Sequence, residues 1–167
     1  EKYSLWSKII VSSDKDFIQL CDNTTILYRP MQSDVKTEKS IVLEYNLHPN
    51  NFALARSLAG DVSDNIPGVS GIGLKTVAKY LPFLAESKSY MISEVEQYCI
   101  DKISKNKIKT KFFQTFIDNL ELIKTNYSVM QLYSPNISVQ IAQKVRNIIQ
   151  DNTLELNLTE IRKMMIL

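Results

Sequence analysis

The stretch Gly60-Asp-Val-Ser-Asp-Asn-Ile-Pro-Gly-Val-Ser-Gly-Ile-Gly-Leu-Lys-Thr-Val-Ala-Lys-Tyr-Leu81 decides how this chain is read. Asp61 and Asp64 stand three apart in a segment rich in Gly, Ser, Asn and Pro. One helical turn or tight loop there aims both carboxylates at one point, which suits a divalent cation. Gly68, Gly71 and Gly73 then allow sharp bends and a close approach of backbone to ligand. Leu74 to Leu81 reads as a helix whose opening amides point at that ligand, and Lys75 and Lys79 lie one turn apart on one face. A nucleic-acid backbone fits such amides and lysines. A Gly-x-Gly before a helix also serves as a plain cap. In either reading Val69, Ile72, Val77 and Leu81 are expected core anchors, with two short helices joined by Gly-Ile-Gly and packed apolar side to apolar side. The plain cap leaves Asp61, Ser63, Asp64 and Asn65 unexplained.

Around this stretch, 167 residues with 44% hydrophobic composition make one domain's worth of chain with ample core. A formal net charge of +2 means that any nucleic-acid surface comes from local clustering rather than overall charge. Cys21 and Cys99 have no metal-type spacing and read as reduced, buried thiols. The sequence carries no signal peptide, no bilayer-length apolar run and no lipidation motif, so a soluble, cytoplasmic protein with no membrane contact is expected.

Towards the N-terminus, Lys8 to Ser12 is a short apolar run of the kind that forms a buried strand, and Thr25 to Tyr28 is a second strand candidate. A parallel sheet needs more strands, and none is expected later in the chain. The N-terminal half of an α/β domain is therefore expected to lie upstream of Glu1. Asp14 and Asp16 sit at the carboxyl end of the first strand, the edge where open α/β sheets place ligands. In an extended segment, positions two apart face the same way and reach one cation. Ser13 or Asp14 could instead cap a helix over Phe17 to Cys21. Hard oxygen donors suit Mg²⁺ or Mn²⁺; no Cys or His set suits zinc.

Gly60-Asp-x-Ser-Asp-Asn-x-Pro-Gly-Val-x-Gly-Ile-Gly-x-Lys-Thr76 resembles the helix-three-turn-helix signature of the 5' nuclease family, which includes flap endonucleases, the 5' exonuclease domain of bacterial DNA polymerase I and phage ribonuclease H. Ser13-Asp-Lys-Asp-Phe-x-Gln-Leu20 is similar to that family's Asp-Lys-Asp stretch. The resemblance implies an α/β fold: the C-terminal strands of a PIN-like parallel-sheet nuclease domain over residues 1–48, then a mainly helical DNA-binding domain over 49–167. It makes Asp14, Asp16, Asp61 and Asp64 one catalytic metal cluster for Mg²⁺ or Mn²⁺. It assigns Gly71, Gly73, Lys75 and Thr76, with Lys79 as a further candidate, to duplex phosphates, and K⁺ to the hairpin. The implied substrate is double-stranded DNA or an RNA–DNA hybrid with a 5' end, flap or RNA primer, in a bacterial cell or phage-infected host. Implied partners are the N-terminal half of the same protein and a single-strand-binding protein or polymerase. The family's other metal site and its basic arch lie in that N-terminal half, so this chain holds about half an active site and is expected to bind DNA better than it cuts it. A different class stays open: a non-catalytic helix-hairpin-helix module that binds duplex DNA for a larger assembly.

The remaining segments read as helices and connectors. Thr37 to Tyr45 is a helix capped by Thr37, and Pro49 to Ala59 another with Phe52, Leu54, Ala55 and Leu58 on its apolar side. His48, in a turn with no acidic or nucleophilic neighbour in sequence, reads as structural. Pro82 ends or bends the signature helix. Helical spacing returns over Ser87 to Cys99, and Lys102-Ile-Ser-Lys-Asn-Lys-Ile-Lys-Thr-Lys111 is either a phosphate-tracking segment or a solvated connector. Phe112, Phe113, Phe116, Ile117 and Leu120 have core spacing rather than the basic-interleaved pattern of stacking platforms. Asn119 to Ile123 and Ser134 to Ile137 resemble the C-terminal region of phage ribonuclease H more weakly. Closing helices are expected over Ile137 to Ile149 and Leu158 to Met165.

Overall fold

In the strand β1 (Lys8–Val11) alternate residues face opposite sides, so Ile10 turns to the core while Ile9 and Val11 stay exposed. β1 pairs in parallel with β2 (Thr25–Arg29), Ile10 opposite Leu27. β2 pairs antiparallel with β3 (Asp34–Lys36), Tyr28 opposite Val35. The strand order is therefore β1-β2-β3. One sheet face carries Leu27 into the core, and the other presents Ile9, Val11, Tyr28 and Val35 to the surface. The third strand corrects the sequence reading, which expected none: three residues alternating charged and apolar give too short a pattern to detect. The structure, a computed structural model, describes residues 6–105, 111–133 and 137–151. The expected helix over Leu158 to Met165, most of the lysine run between Lys105 and Lys111, and Ser134 to Asn136 lie outside them.

The chain divides into two compact units, Glu1–Tyr133 and Ser134–Leu167. In the first, α1 (Glu38–Tyr45) begins at a capping box in which Thr37 and Ser40 exchange side-chain and backbone hydrogen bonds. A 3-10 turn, Pro49–Asn51, leads into α2 (Phe52–Ala59), and every residue from Phe52 to Leu58 is buried, including Arg56 and Ser57. A helix buried all round is a core element. α2 packs against α3 (Leu74–Tyr80) and α6 (Leu120–Met130). Pro82 ends α3 and opens a 3-10 turn, Pro82–Ala85.

α4 (Ile92–Lys105) and α5 (Lys111–Asp118) pack as a pair. Tyr98 of α4 meets Phe113 of α5 edge-on at 6.1 Å, and Phe112 stacks on Tyr80 at the end of α3 at 4.7 Å. Phe112 and Phe116 are buried, in line with the core reading. Cys21 and Cys99 are free and buried, and burial pushes the Cys21 thiol up to about 11 and that of Cys99 to about 12. In the second unit α7 (Val139–Asp151) starts with Ser138 Oγ accepting from Ile141 N–H at 3.3 Å. No helix among the described residues is long and apolar enough to cross a membrane.

α6 fastens elements far away in sequence. Asn126 Nδ2 donates to the carbonyls of Ser57 at 3.0 Å and Pro67 at 2.8 Å, bridging the two ends of the acidic turn. Gln19 Nε2 donates to Met130 O at 3.0 Å, and Gln19 Oε1 accepts from Leu132 N–H at 2.9 Å. The turn after β1 is thus tied to the end of the same helix.

His48 is buried and accepts from Asn50 N–H at 3.2 Å, the structural role expected of it. The fold does bring it an acidic neighbour that sequence did not: Glu38 Oε1 lies 3.6 Å from Nε2.

Candidate nuclease site

Extended backbone does not continue past Asp14. Residues Lys15–Leu20 form a 3-10 turn, and Asp14 caps it, its carboxylate accepting from Asp16 N–H at 2.8 Å. The capping alternative is therefore realised, and Asp16 is placed by a helical turn rather than by strand alternation. Asp14 keeps an exposed carboxylate while Asp16 is partly buried.

The second acidic pair sits on a six-residue turn, not on a helix. Asp61 and Ile66 exchange backbone hydrogen bonds at 2.9 and 2.8 Å, and Asn65 takes a left-handed φ of 55°. The expected helix before Gly-Ile-Gly is replaced by this turn and an irregular run to Gly73, so α2 and α3 are joined by a long loop rather than by a tight hairpin. Gly and Pro at 60, 67 and 68 disfavour helix there. Asp61 Oδ1 accepts from both Ser63 N–H, at 2.8 Å, and the Ser63 hydroxyl. These bonds from Ser63, with Arg56 adding its charge against a partial burial cost, hold the Asp61 carboxyl below the usual carboxylate range.

Asp14, Asp61 and Asp64 line one cleft of about 310 Å³, with Ser13, Lys15, Ser63, Arg29 and Arg56 on its walls. Asp16 adjoins it: burial pushes its carboxyl up, Arg56 opposes this, and the charges of Asp14, Asp64 and Asp61 add to the rise. Asp16 thus senses the charges of the other three aspartates. The cation among them is Arg56, whose guanidinium pairs with Asp16 Oδ1 at 3.0 Å and with Asp61 Oδ2. As placed, no set of three or more acidic, His or Cys side chains among the described residues forms a metal-holding group. The donor chemistry fits a hard divalent cation, and the position between Asp16 and Asp61 already attracts positive charge. Arg56 escaped the sequence reading; its signal was a lone charge inside the apolar run Phe52 to Ala59.

The glycine half of the signature is open. Gly71 has a φ of 76°, and a Cβ built on Gly71 or Gly73 meets nothing within 4 Å. Gly73 caps α3, its carbonyl accepting from Thr76 and Val77 N–H at 2.9 and 3.0 Å. Two clefts flank the helix. Gly71 and Thr76 line one with Tyr80 and Lys111; Lys75 and Lys79 line the other with Asn46 and Glu44. Four of the five candidate phosphate residues are therefore divided between two sides of α3, with Gly73 at its start.

The chain is 27% identical over 137 residues to a 5'-3' exonuclease of Aquifex aeolicus, covering 81% of this chain and 42% of that protein. It is 35% identical over 125 residues to DNA polymerase I of Bacillus subtilis, covering 72% of this chain and 13% of that one. The chain is a relative of the 5'-3' exonucleases. The chain spans less than half the length of either protein, and no family model matches it. Its fold is similar to that of a bacteriophage T5 5'-exonuclease with bound divalent zinc ions, at a TM-score of 0.56 and 18% identity, over 73% of this chain and 42% of that one. It is equally similar, at a TM-score of 0.56 and 19% identity over 73% of this chain, to a T5 flap endonuclease variant in complex with DNA and metal ions.

Proposed function

We propose that this chain is the nucleic-acid-binding part of a divalent-metal-dependent 5' nuclease that hydrolyses phosphodiester bonds at 5' ends, flaps or RNA primers of duplex nucleic acid. What supports this most is the convergence of Asp14, Asp61 and Asp64 on one cleft with Asp16 beside it, on a chain related to 5'-3' exonucleases. Asp14, Asp16, Asp61 and Asp64 would hold Mg²⁺ or Mn²⁺, directly or through water. Such an ion, when bound, supplies neutralisation of the scissile phosphate and a more acidic water. Ser63 orients Asp61, and the Asp61–Ile66 backbone pairing fixes where that carboxylate stands. Lys75, Lys79 and Thr76, with the bare backbone of Gly71 and Gly73, would hold the duplex by its phosphates, and the carbonyls of the loop before α3 are the proposed place for K⁺.

The division at residue 48 into the tail of an α/β nuclease domain and a helical DNA-binding part belongs to the same proposal. So does the outward sheet face of Ile9, Val11, Tyr28 and Val35, which suits further strands and helices of the same protein. A single-strand-binding protein or polymerase would act beside it in the cytoplasm.

The test is a 5'-labelled flap duplex incubated with the complete enzyme carrying Asp61→Asn and Asp64→Asn. Cleavage should fall by about two orders of magnitude or more, while duplex affinity in metal-free buffer stays equal or rises. Unchanged cleavage would remove these residues from catalysis. The second reading, a non-catalytic duplex-binding module, is favoured by one observation: Arg56 already neutralises part of the acidic cluster. Normal cleavage by this double variant would leave that reading standing.

A further inference from the structure

We propose that Arg56 is the built-in counter-ion of the acidic cluster, occupying it when no divalent ion is bound and exchanging with that ion when one enters. This rests on the reading of the four aspartates as cation ligands. Arg56 stands in the middle of α2, a helix otherwise made of Phe, Ala, Leu and Ser, and is only 6% exposed. Burying a guanidinium is costly unless it is paired, so this one is placed for its partners. Those partners are Asp16 Oδ1 at 3.0 Å and Asp61 Oδ2, one carboxylate from each acidic segment.

The pairing is incomplete. Arg56 Nε is buried without a hydrogen-bond partner, although an arginine kept purely for structure would be expected to satisfy its donors. The guanidinium is thus aimed into the cleft and held there by two carboxylates, with Asp14 and Asp64 on the cleft wall left to solvent. A divalent ion that draws on all four aspartates needs the two carboxylates that Arg56 holds. Ion and guanidinium therefore compete. Arg56 acts as a positioning residue: in the metal-free protein it keeps Asp16 and Asp61 near each other, and it sets how strongly an ion must bind to take them.

The experiment is Mn²⁺ titration of the whole chain by calorimetry, with thermal unfolding in chelator and in Mn²⁺, for wild type, Arg56→Met and Arg56→Lys. Arg56→Met should bind Mn²⁺ about tenfold more tightly because a competing unit charge has gone. It should melt lower than wild type in chelator and recover that loss in Mn²⁺. Arg56→Lys, which keeps the charge, should bind Mn²⁺ close to wild type. Equal or weaker Mn²⁺ binding by Arg56→Met would overturn the proposal and make Arg56 a supporting scaffold. Should Arg56→Met fail to fold in chelator, the wild type decides. Its Arg56 Nε–Hε resonance, identified by its loss in Arg56→Lys, should shift on saturation with Mg²⁺, and a stationary resonance overturns the exchange. If no form binds Mn²⁺, the cation reading of the aspartates falls, and the proposal with it.

Discussion

Two pairs of glycines in the signature do opposite things. Gly60, at a φ of 74°, would bring a Cβ within 2.2 Å of Gly68 N, and a Cβ on Gly68 would lie 2.1 Å from Ala59 O. Backbone there touches backbone, which closes the acidic turn onto the end of α2. Gly71 and Gly73, a few residues on, would place a Cβ in empty space. The first pair is glycine because the fold leaves no room; in the second, Gly71 has the space but a left-handed φ, and Gly73 is bare where space and backbone would both accept a side chain. One residue type thus marks a packing constraint on one side of the motif and an uncovered backbone surface on the other.

The sharpest break in this comparison is Gly68→Ala. The obstructing atoms are backbone and cannot swing aside, so the cost should be about 3 kcal/mol or more. Urea denaturation of the chain reads it, and a loss below about 1 kcal/mol would mean that the turn is looser than the contacts state. Gly73→Ala is the counterpart. Its backbone is extended, with φ of −108°, so stability should move by no more than about 0.5–1 kcal/mol and in the favourable direction. Duplex affinity should drop about tenfold if phosphate approaches there; fluorescence anisotropy with a labelled duplex measures both size and sign.

Lys75→Ala probes the glycine side by charge rather than shape. It should weaken binding to every sequence alike and reduce the slope of log K against log salt by about one. A change confined to one sequence would take Lys75 off the phosphates. The smallest effect lies on the acidic side. Asp61 has a folded pKa below its ordinary 3.8, so its ionised form is favoured by folding. Its stabilisation is complete above that ordinary value and is lost as pH falls through it towards the depressed folded one. Denaturation of Asp61→Asn below pH about 4 should therefore show a shallower loss of stability with acid than wild type.

Much of this was legible locally. Thr37 announced its cap, the aromatic spacing at Phe112 and Phe116 announced core, and the signature announced acidic and glycine halves. What was not legible depends on partners distant in sequence or on elements too short to have a period. β3 is three residues long and exists because β2 offers it an edge. The run before Gly-Ile-Gly read as helix because its apolar residues suit one, yet Gly60 and Gly68 are required in contact, which bends the chain back instead. Arg56 gained its meaning only when folding set Asp16 and Asp61 on either side of it.

The bonds from α6 have a consequence for synthesis. Chains emerge N-terminus first and fold as units complete. A nascent chain halted before Leu120 already carries all four aspartates and the whole glycine signature, but lacks Asn126 to clamp Ser57 to Pro67 and Met130 to hold Gln19. The acidic cleft is therefore clamped last, after the segment that encodes its chemistry has emerged.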